Sequence, residues 1–155
     1  MNVRLLAITT VLLLVISGCG HQYNPERDKD CRGCDLTSAD LFGTDLSGAD
    51  LSGVDLTRAN LSRANLSRAN LSDVNLLAAV LVGADLAYAN LSGANLGGAD
   101  LREANLLGAD MSRADLTDAN LSKANLTDAY LLGANLDGVN GADFTGALNV
   151  PVRYR

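Results

Sequence analysis

The sequence is poor in aromatic residues, proline and histidine. Its 155 residues include no tryptophan, two phenylalanines, two prolines and one histidine. A core without large aromatic side chains must be built from small aliphatic groups at regular intervals. The hydrophobic fraction of 48% is nevertheless too high for a disordered chain. The single histidine, His21, lies in a polar stretch without a partner nearby, and one histidine alone is a poor metal site.

The long hydrophobic run of this sequence lies at its N-terminus. Residues 5–16 are apolar apart from two threonines, and they follow the basic residue Arg4. The small residues Ser17 and Gly18 then precede Cys19. This layout is typical of a secretory signal, and the run is too short for a comfortable membrane span.

Residues 16–19, Ile-Ser-Gly-Cys, resemble the lipobox of bacterial lipoproteins. The resemblance implies a signal peptide over 1–18, lipidation of Cys19 by acyl chains such as palmitate, and retention at a membrane of the cell envelope. For a Gram-negative protein, Gly20 after the cysteine implies the outer membrane, facing the periplasm. Several acyl chains on one residue anchor a protein stably. An ordinary signal peptide with an incidental cysteine is the alternative.

The mature chain is acidic. The formal net charge of the full sequence is −6, and removal of residues 1–18 takes away Arg4 but no acidic residue. The remainder has 11 basic and 18 acidic residues, a net charge of −7. Nonspecific binding of nucleic acid depends on lysine and arginine near phosphates, so nucleic acid is not an expected partner. Residues 19–30 are polar and aperiodic, which is typical of a tether.

A five-residue repeat occupies most of the remaining chain. Leucine stands at every fifth position from 36 to 136, with Met111 in its place once. The residue two positions earlier is alanine in 17 of 20 cases from 39 to 134. The residue directly before the centre is Asp or Asn in 19 of 21 cases, the exceptions being Val80 and Tyr130. So long a repeat without a shift in register does not arise by chance, so we use the repeat to predict the fold.

A period of five fits neither a straight helix nor a straight strand. On a helix, leucines spaced by five residues would point in different directions around the axis. On a strand they would alternate between the two faces. A chain that turns a corner every five residues points each alanine and leucine inward and each Asp or Asn outward. The last two positions of the repeat then form the corner. Four corners close a square coil, so each coil takes four repeats and we expect an all-β solenoid.

The pattern A-(D/N)-L-x-x, as at 59–63 and 124–128, resembles that of the pentapeptide-repeat proteins. The resemblance implies a right-handed quadrilateral β-helix in a single domain, here over residues 31–139, followed by a C-terminal cap over 140–155. Some members of that family are cytosolic DNA mimics that act on a topoisomerase. The acidic charge is compatible with such a role, whereas the export signal is not.

No reaction is evident in the sequence. It shows no nucleophile beside a base, no carboxylate dyad, no phosphate loop and no metal cluster. The aspartates recur at one position of the repeat, so turn formation explains them better than acid–base chemistry does. We therefore expect no enzyme and no cofactor, but a membrane-anchored extracytoplasmic scaffold that binds an unknown protein partner.

The residues that depart from the repeat are the candidates for function. Cys31 and Cys34 lie at inward positions of the first turn, where a disulfide or two buried thiols are both open. At the other end the register breaks after Leu136. There Phe144, Leu148 and Val150 are expected to close the last coil, as a simple cap on a monomer or as a homodimer interface.

Two further departures lie on the outer surface of the coil. Arg58, Arg63 and Arg68 occupy one corner position on three successive sides, a basic girdle that charge balance against neighbouring aspartates explains. The second departure is apolar and comprises Leu77, Val80, Val82, Ala87, Tyr88 and, one coil later, Leu107. A contiguous apolar patch is typical of an interface, and tolerated drift within a repeat is the alternative.

Overall fold

The computed structural model describes residues 35–154, and these residues coil with a constant period. Parallel β-bridges join every fifth residue to its counterpart four repeats later, from Asp35↔Asp55 to Asn120↔Asn140. Because bridged residues follow one another at intervals of five, each coil consists of four repeats and has four bridged sides. The structure thus confirms the square coil that the repeat predicts.

The four sides are called faces A to D after their central inward residues. Face A has its centres at 36, 56, 76, 96, 116 and 136, and face B at 41, 61, 81, 101 and 121. Face C has its centres at 46, 66, 86, 106 and 126, and face D at 51, 71, 91, 111 and 131. The two residues after each centre form the corner that carries the same letter. Faces B and D are opposite, as are corners A and C.

The core is a stack of aliphatic side chains. Every central residue from Leu36 to Leu136 is at most 3% exposed. The small residue two positions earlier is also buried in most repeats, and Ala94 has no exposed surface. Both side chains point inward because they are two residues apart along an extended backbone. The narrow spacing leaves room for one leucine and one alanine on each side of the coil.

Each corner is a tight turn closed by one backbone hydrogen bond. The N–H of the small residue donates to the carbonyl of the preceding centre, as from Ala94 to Leu91 at 3.0 Å. The second corner residue has a positive φ, for example 57° at Arg58 and 63° at Gly43. This is the pattern of a type II turn, in which glycine is strain-free and other residues have a steric cost.

The outward Asp and Asn side chains are bound to their own turns and to the neighbouring coil. Their side-chain oxygen accepts from the backbone N–H two residues later, as at Asp45 and Ser47 at 3.0 Å. Asparagines also donate to the equivalent residue of the preceding coil, as from Asn60 to Asp40 at 3.0 Å. The outward position therefore holds a polar ladder along the axis, which the sequence alone does not reveal.

The C-terminal end departs from this register. Tyr130 bridges to Leu148, whereas the regular spacing would bring it to position 150. Val150 is 7% exposed and Phe144 is half-buried against the core, whereas the side chain of Leu148 is 46% exposed. The expected closing residues thus act differently, because Leu148 contributes its backbone rather than its side chain.

A short 3-10 helix, Val152–Tyr154, follows the last coil. The Tyr154 hydroxyl accepts a hydrogen bond from the backbone N–H of Leu136 at 3.1 Å. It lies 2.7 Å from Oδ1 of Asp137, to which it donates. The tyrosine therefore fastens the chain end to face A.

Candidate interaction surfaces

The predicted sites near the N-terminus lie outside the described residues. These are Cys19 with the signal over 1–18, the tether over 19–30, and the pair Cys31 and Cys34. Within residues 35–154, no helix has the length and apolarity that crossing a membrane requires. That same range contains no group of three or more His, Cys, Asp or Glu side chains arranged to hold a metal ion. Lipidation and the disulfide remain predictions.

The outward apolar residues predicted as one patch form two separate groups. Leu77, Val80 and Val82 follow one another around face B, at corner A, on the face and at corner B. Tyr88 and Leu107 lie at corner C on neighbouring coils. Because corners A and C are diagonally opposite, Leu77 and Tyr88 cannot belong to one surface. The expectation of a single contiguous patch is corrected by this geometry.

Leu77, Val80 and Val82 are here called the face-B patch. Leu77 is 44% exposed and Val80 is 36% exposed, while Val82 is half-buried. Val80 stands between Asn60 and Asp100 in the outward column of face B. A valine side chain neither accepts from the turn nor donates to the next coil, so it interrupts the polar ladder there.

At corner C the exposed apolar side chain is Tyr88. Its ring is 58% exposed and lies against Gly108, where an added Cβ would come within 2.7 Å of Cε1. The position of the Tyr88 ring therefore requires a glycine at position 108 of the next coil. Ala87 is only 9% exposed, so it is not part of an exposed surface, although its outward position led us to expect that.

Beside Tyr88 lies an open groove of about 520 Å³, here called the corner-C groove. Its lining consists of Ser47, Gly48, Asn65, Ser67, Arg68, Ala87 and Tyr88. These residues come from three successive coils, each four repeats after the last. Sequence reasoning missed the groove, although shifting each corner residue by four repeats would have aligned Arg68 with Tyr88.

The three arginines of the predicted girdle occupy corners A, B and C of a single coil, each with a positive φ. All three are exposed. The Arg63 guanidinium lies 5.9 Å from the centroid of the Phe42 ring. In the described part of the chain, none of the three forms an ion pair with a carboxylate. Within residues 35–154, direct ion pairs therefore do not account for the positions of these three arginines.

Comparison with known proteins identifies the repeat. The family model "Pentapeptide repeats (8 copies)" matches residues 34–73, 79–118 and 104–148. The chain belongs to the pentapeptide-repeat family. A comparison with curated protein sequences gives no match.

Solved pentapeptide-repeat structures resemble the chain. A pentapeptide-repeat protein (Rfr23) from the cyanobacterium Cyanothece 51142 is 31% identical, with a TM-score of 0.64, covering 79% of this chain and 92% of that one. Protein alr5209 from Nostoc is 34% identical, with a TM-score of 0.43 and coverage of 77% and 84%. A thylakoid-lumen protein from Arabidopsis thaliana is 29% identical, with a TM-score of 0.41 and coverage of 88% and 79%.

Membership of the family confirms the predicted fold class, a right-handed quadrilateral β-helix. Pentapeptide-repeat proteins are generally structural or interaction modules rather than enzymes. Among the described residues the outer surface of this pentapeptide-repeat coil is mostly Ser, Thr, Gly, Asp and Asn. The face-B patch and the corner-C groove are two places where that surface changes character.

Hydrogen bonds lower the pKa of three carboxylates on the outer surface of the coil, Asp55, Asp100 and Asp115. The hydroxyl and then the backbone N–H of Thr57 lower the pKa of Asp55, and Thr117 does the same for Asp115. The pKa of Asp100 is lowered chiefly by its hydrogen bonds with Arg102, whose nearest nitrogen is 2.7 Å away. Such groups stabilise turns and are poor proton donors near neutral pH.

Proposed function

We propose that this pentapeptide-repeat protein is a non-catalytic, membrane-anchored extracytoplasmic scaffold that binds a protein partner through the face-B patch. The observation that carries the proposal is the interrupted ladder at Val80. On face B the neighbouring outward residues are Asn60 and Asp100, which are polar, whereas Val80 and Leu77 present apolar surface. Exposed apolar groups rimmed by polar ones are typical of interfaces.

The coil favours binding at that position because its backbone is already ordered. Val80 donates its N–H to Ala59 at 2.9 Å and its carbonyl accepts from Leu61 at 2.7 Å. A preorganised surface loses little conformational entropy when a partner binds. Since these backbone groups are used within the coil, a partner would bind through side-chain packing and not by adding a strand.

Site-specific photo-cross-linking in the native envelope tests the interaction. A photoreactive residue at position 80 is expected to yield one discrete cross-linked species. The matched control is position 90, where Asn90 occupies the equivalent outward site of the same coil on the opposite face. Equal cross-linking from both positions, or none from position 80, would contradict a specific interface. Leu77→Ser with Val82→Ser should abolish the species without unfolding the coil.

The anchor is supported by the lipobox resemblance at Cys19 and by the apolar run before it. Metabolic labelling with palmitate tests it directly. We expect label in the full chain and in Cys31→Ala, and loss of label in Cys19→Ala. Label that persists in Cys19→Ala would exclude this residue as the acylation site.

The cellular location of the chain also distinguishes the proposed scaffold function from that of a DNA mimic that acts on a topoisomerase. A DNA mimic needs a continuous acidic surface, and the girdle of Arg58, Arg63 and Arg68 interrupts the acidic charge within one coil. We expect the mature chain in the envelope fraction. Its recovery from the cytosol would contradict the scaffold and favour DNA mimicry.

The oligomeric state bears on the same proposal. At the C-terminal cap, Leu132, Leu148 and Val152 are 54%, 46% and 81% exposed. A homodimer through the cap would cover them, and a monomer would leave them in solvent. Light scattering of the wild-type chain and of Leu148→Ser distinguishes the two states.

A further inference from the structure

We propose that the corner-C groove binds a small carboxylated saccharide, of the uronic acid type. The groove is lined by Arg68 and Tyr88 on successive coils, with Ala87 and Ser67 between them. Its described lining contains one cationic side chain and no carboxylate, on a protein whose net charge is −6. The carboxylates of Asp45 and Asp85 adjoin the lining, where they accept from the N–H groups of Ser47 and Ala87. This inference requires neither the lipid anchor nor the face-B patch.

Arg68 supplies a charged donor that no side chain within residues 35–154 uses. Its guanidinium has no ion pair or side-chain hydrogen bond in the described part of the chain. A neighbouring arginine of the girdle, Arg63, instead lies over the Phe42 ring. A guanidinium recognises a carboxylate through paired, charge-assisted hydrogen bonds. The free guanidinium of Arg68 therefore suits a carboxylated ligand.

Asn65 supplies a second free donor. Most stacked asparagines donate their amide to the coil before them, as Asn60 does to Asp40 and Asn70 does to Asp50, each at 3.0 Å. The Asn65 amide nitrogen makes no such bond within residues 35–154. Its oxygen accepts from the N–H and hydroxyl of Ser67, so only the nitrogen is available to a ligand. An amide donor beside a guanidinium suits a sugar hydroxyl next to a carboxylate.

The shape and surface of the groove favour a ring over an extended peptide. The backbone N–H groups of Gly48, Arg68 and Tyr88 all donate to the following coil, at 2.8 to 2.9 Å. With these groups in use, a peptide cannot bind by strand addition. The exposed ring of Tyr88 instead offers an apolar surface against which the face of a sugar can pack.

The dimensions are also consistent with a small ligand. Positions 48 and 88 are two coils apart, which is about 10 Å along the axis. The volume of about 520 Å³ lies within the range of small-molecule sites. A mono- or disaccharide fits between Gly48 and Tyr88, whereas a longer chain would extend over the rest of corner C.

Amide NMR of the labelled full-length chain tests the proposal, with glucuronic acid, glucose and acetate as probes. Glucuronic acid is expected to produce saturable shifts at Ser67, Arg68 and Tyr88. Glucose and acetate should each bind about tenfold more weakly, since each lacks half of the recognised chemistry. Absence of saturable shifts with glucuronic acid would overturn the proposal. Acetate that binds as tightly as glucuronic acid would overturn its saccharide part.

The matched variants are Arg68→Gln and Arg58→Gln. Both arginines occupy the positive-φ corner position of one coil, and only Arg68 lines the groove. Arg68→Gln should weaken glucuronic acid binding about tenfold, while Arg58→Gln leaves it unchanged. Equal losses in the two variants would mean a general charge effect and would overturn the assignment. Tyr88→Ala should weaken both glucuronic acid and glucose.

Discussion

The repeat array and the C-terminal end close the same kind of coil by different means. Between Asp35 and Asn140 every bridge joins residues that are four repeats apart, and each coil contacts only its neighbours. At the end, Tyr130 pairs with Leu148, short of the regular spacing, and Tyr154 fastens the chain to face A. Stability is thus distributed over many equivalent leucines in the array, whereas at the end it depends on a few individual contacts.

The largest effect on stability is expected from truncation of a leucine, which should be large in the array and small at the C-terminal end. Leu86 is fully buried, so Leu86→Ala should lower the free energy of unfolding by about 2–5 kcal/mol, as cavities in cores do. Leu148 is 46% exposed and engages the array through its backbone, so Leu148→Ala should change it by less than about 0.5 kcal/mol. Denaturant unfolding of both variants measures the difference.

Similar losses in the two variants would contradict the difference between the array and the C-terminal end. A large loss in Leu148→Ala would mean that the side chain, and not the backbone bridge to Tyr130, closes the coil. A small loss in Leu86→Ala would mean that the array relaxes around a cavity. Ala78→Ser, at an exposed corner, controls for substitution in the array.

A smaller and local effect is expected at the latch formed by Tyr154. Tyr154→Phe removes the hydroxyl that accepts from Leu136 N–H and donates to Asp137. Hydrogen exchange should accelerate at Leu136 and leave Leu96 unchanged, because Leu96 N–H donates to Asp115 within the array. Acceleration at both amides would show that end and array open together.

The same latch has a pH dependence. Burial first, and then the hydrogen bond to Asp137, raise the pKa of Tyr154 above 10.0. A raised tyrosine pKa favours the protonated hydroxyl in the folded state. The contribution of the latch is therefore present below about pH 10 and is lost as the pH rises through the folded pKa. Protection of the Leu136 amide, corrected for the intrinsic rise of exchange with pH, should fall in that range in the wild type but not in Tyr154→Phe.

The sequence predicts the array well because its rule is periodic. The burial of Leu36 to Leu136, the outward Asp and Asn positions and the corners all follow from a period of five combined with alternation along an extended chain. The direction of the asparagine ladder does not follow, because it depends on which residue lies one coil away. The latch by Tyr154 lies beyond the last repeat, where no periodic rule applies.

The candidate sites were predicted less completely, because they also depend on which residues lie one coil away. Sequence neighbours such as Val82 and Tyr88 were assigned to one patch, yet they lie at corners B and C. In the coil a corner separates residues that are one repeat apart, while residues four repeats apart lie side by side. The corner-C groove joins Asn65, Arg68 and Tyr88 across coils, so it becomes visible only when the stacking is applied to the side chains.

The smallest effect on stability is expected at acid pH, where two similar turns can be compared. Asp115 in the array and Asp143 near the end each have a lowered pKa, owing first to the hydroxyl and then to the backbone N–H of the threonine two residues later. Asp115 also accepts from Asn135 of the next coil, at 3.3 Å. A lowered pKa stabilises the fold above the unfolded value of 3.8, and this contribution is lost as the pH falls through the folded pKa.

Thermal unfolding below pH 4 should therefore separate the two turns. At neutral pH, Asp115→Asn is expected to be nearly neutral, since asparagine fills the equivalent position in many repeats and keeps the acceptor oxygen. Below pH 4, Asp115→Asn should lose fewer degrees of melting temperature than the wild type, by a few degrees at most. Asp143→Asn should follow the wild type, because its turn makes no ladder bond with a following coil within the described residues and opens with the end. Identical acid profiles for Asp115→Asn and Asp143→Asn would show that the local turn alone, and not the bond between coils, links the charge of Asp115 to the stability of the array.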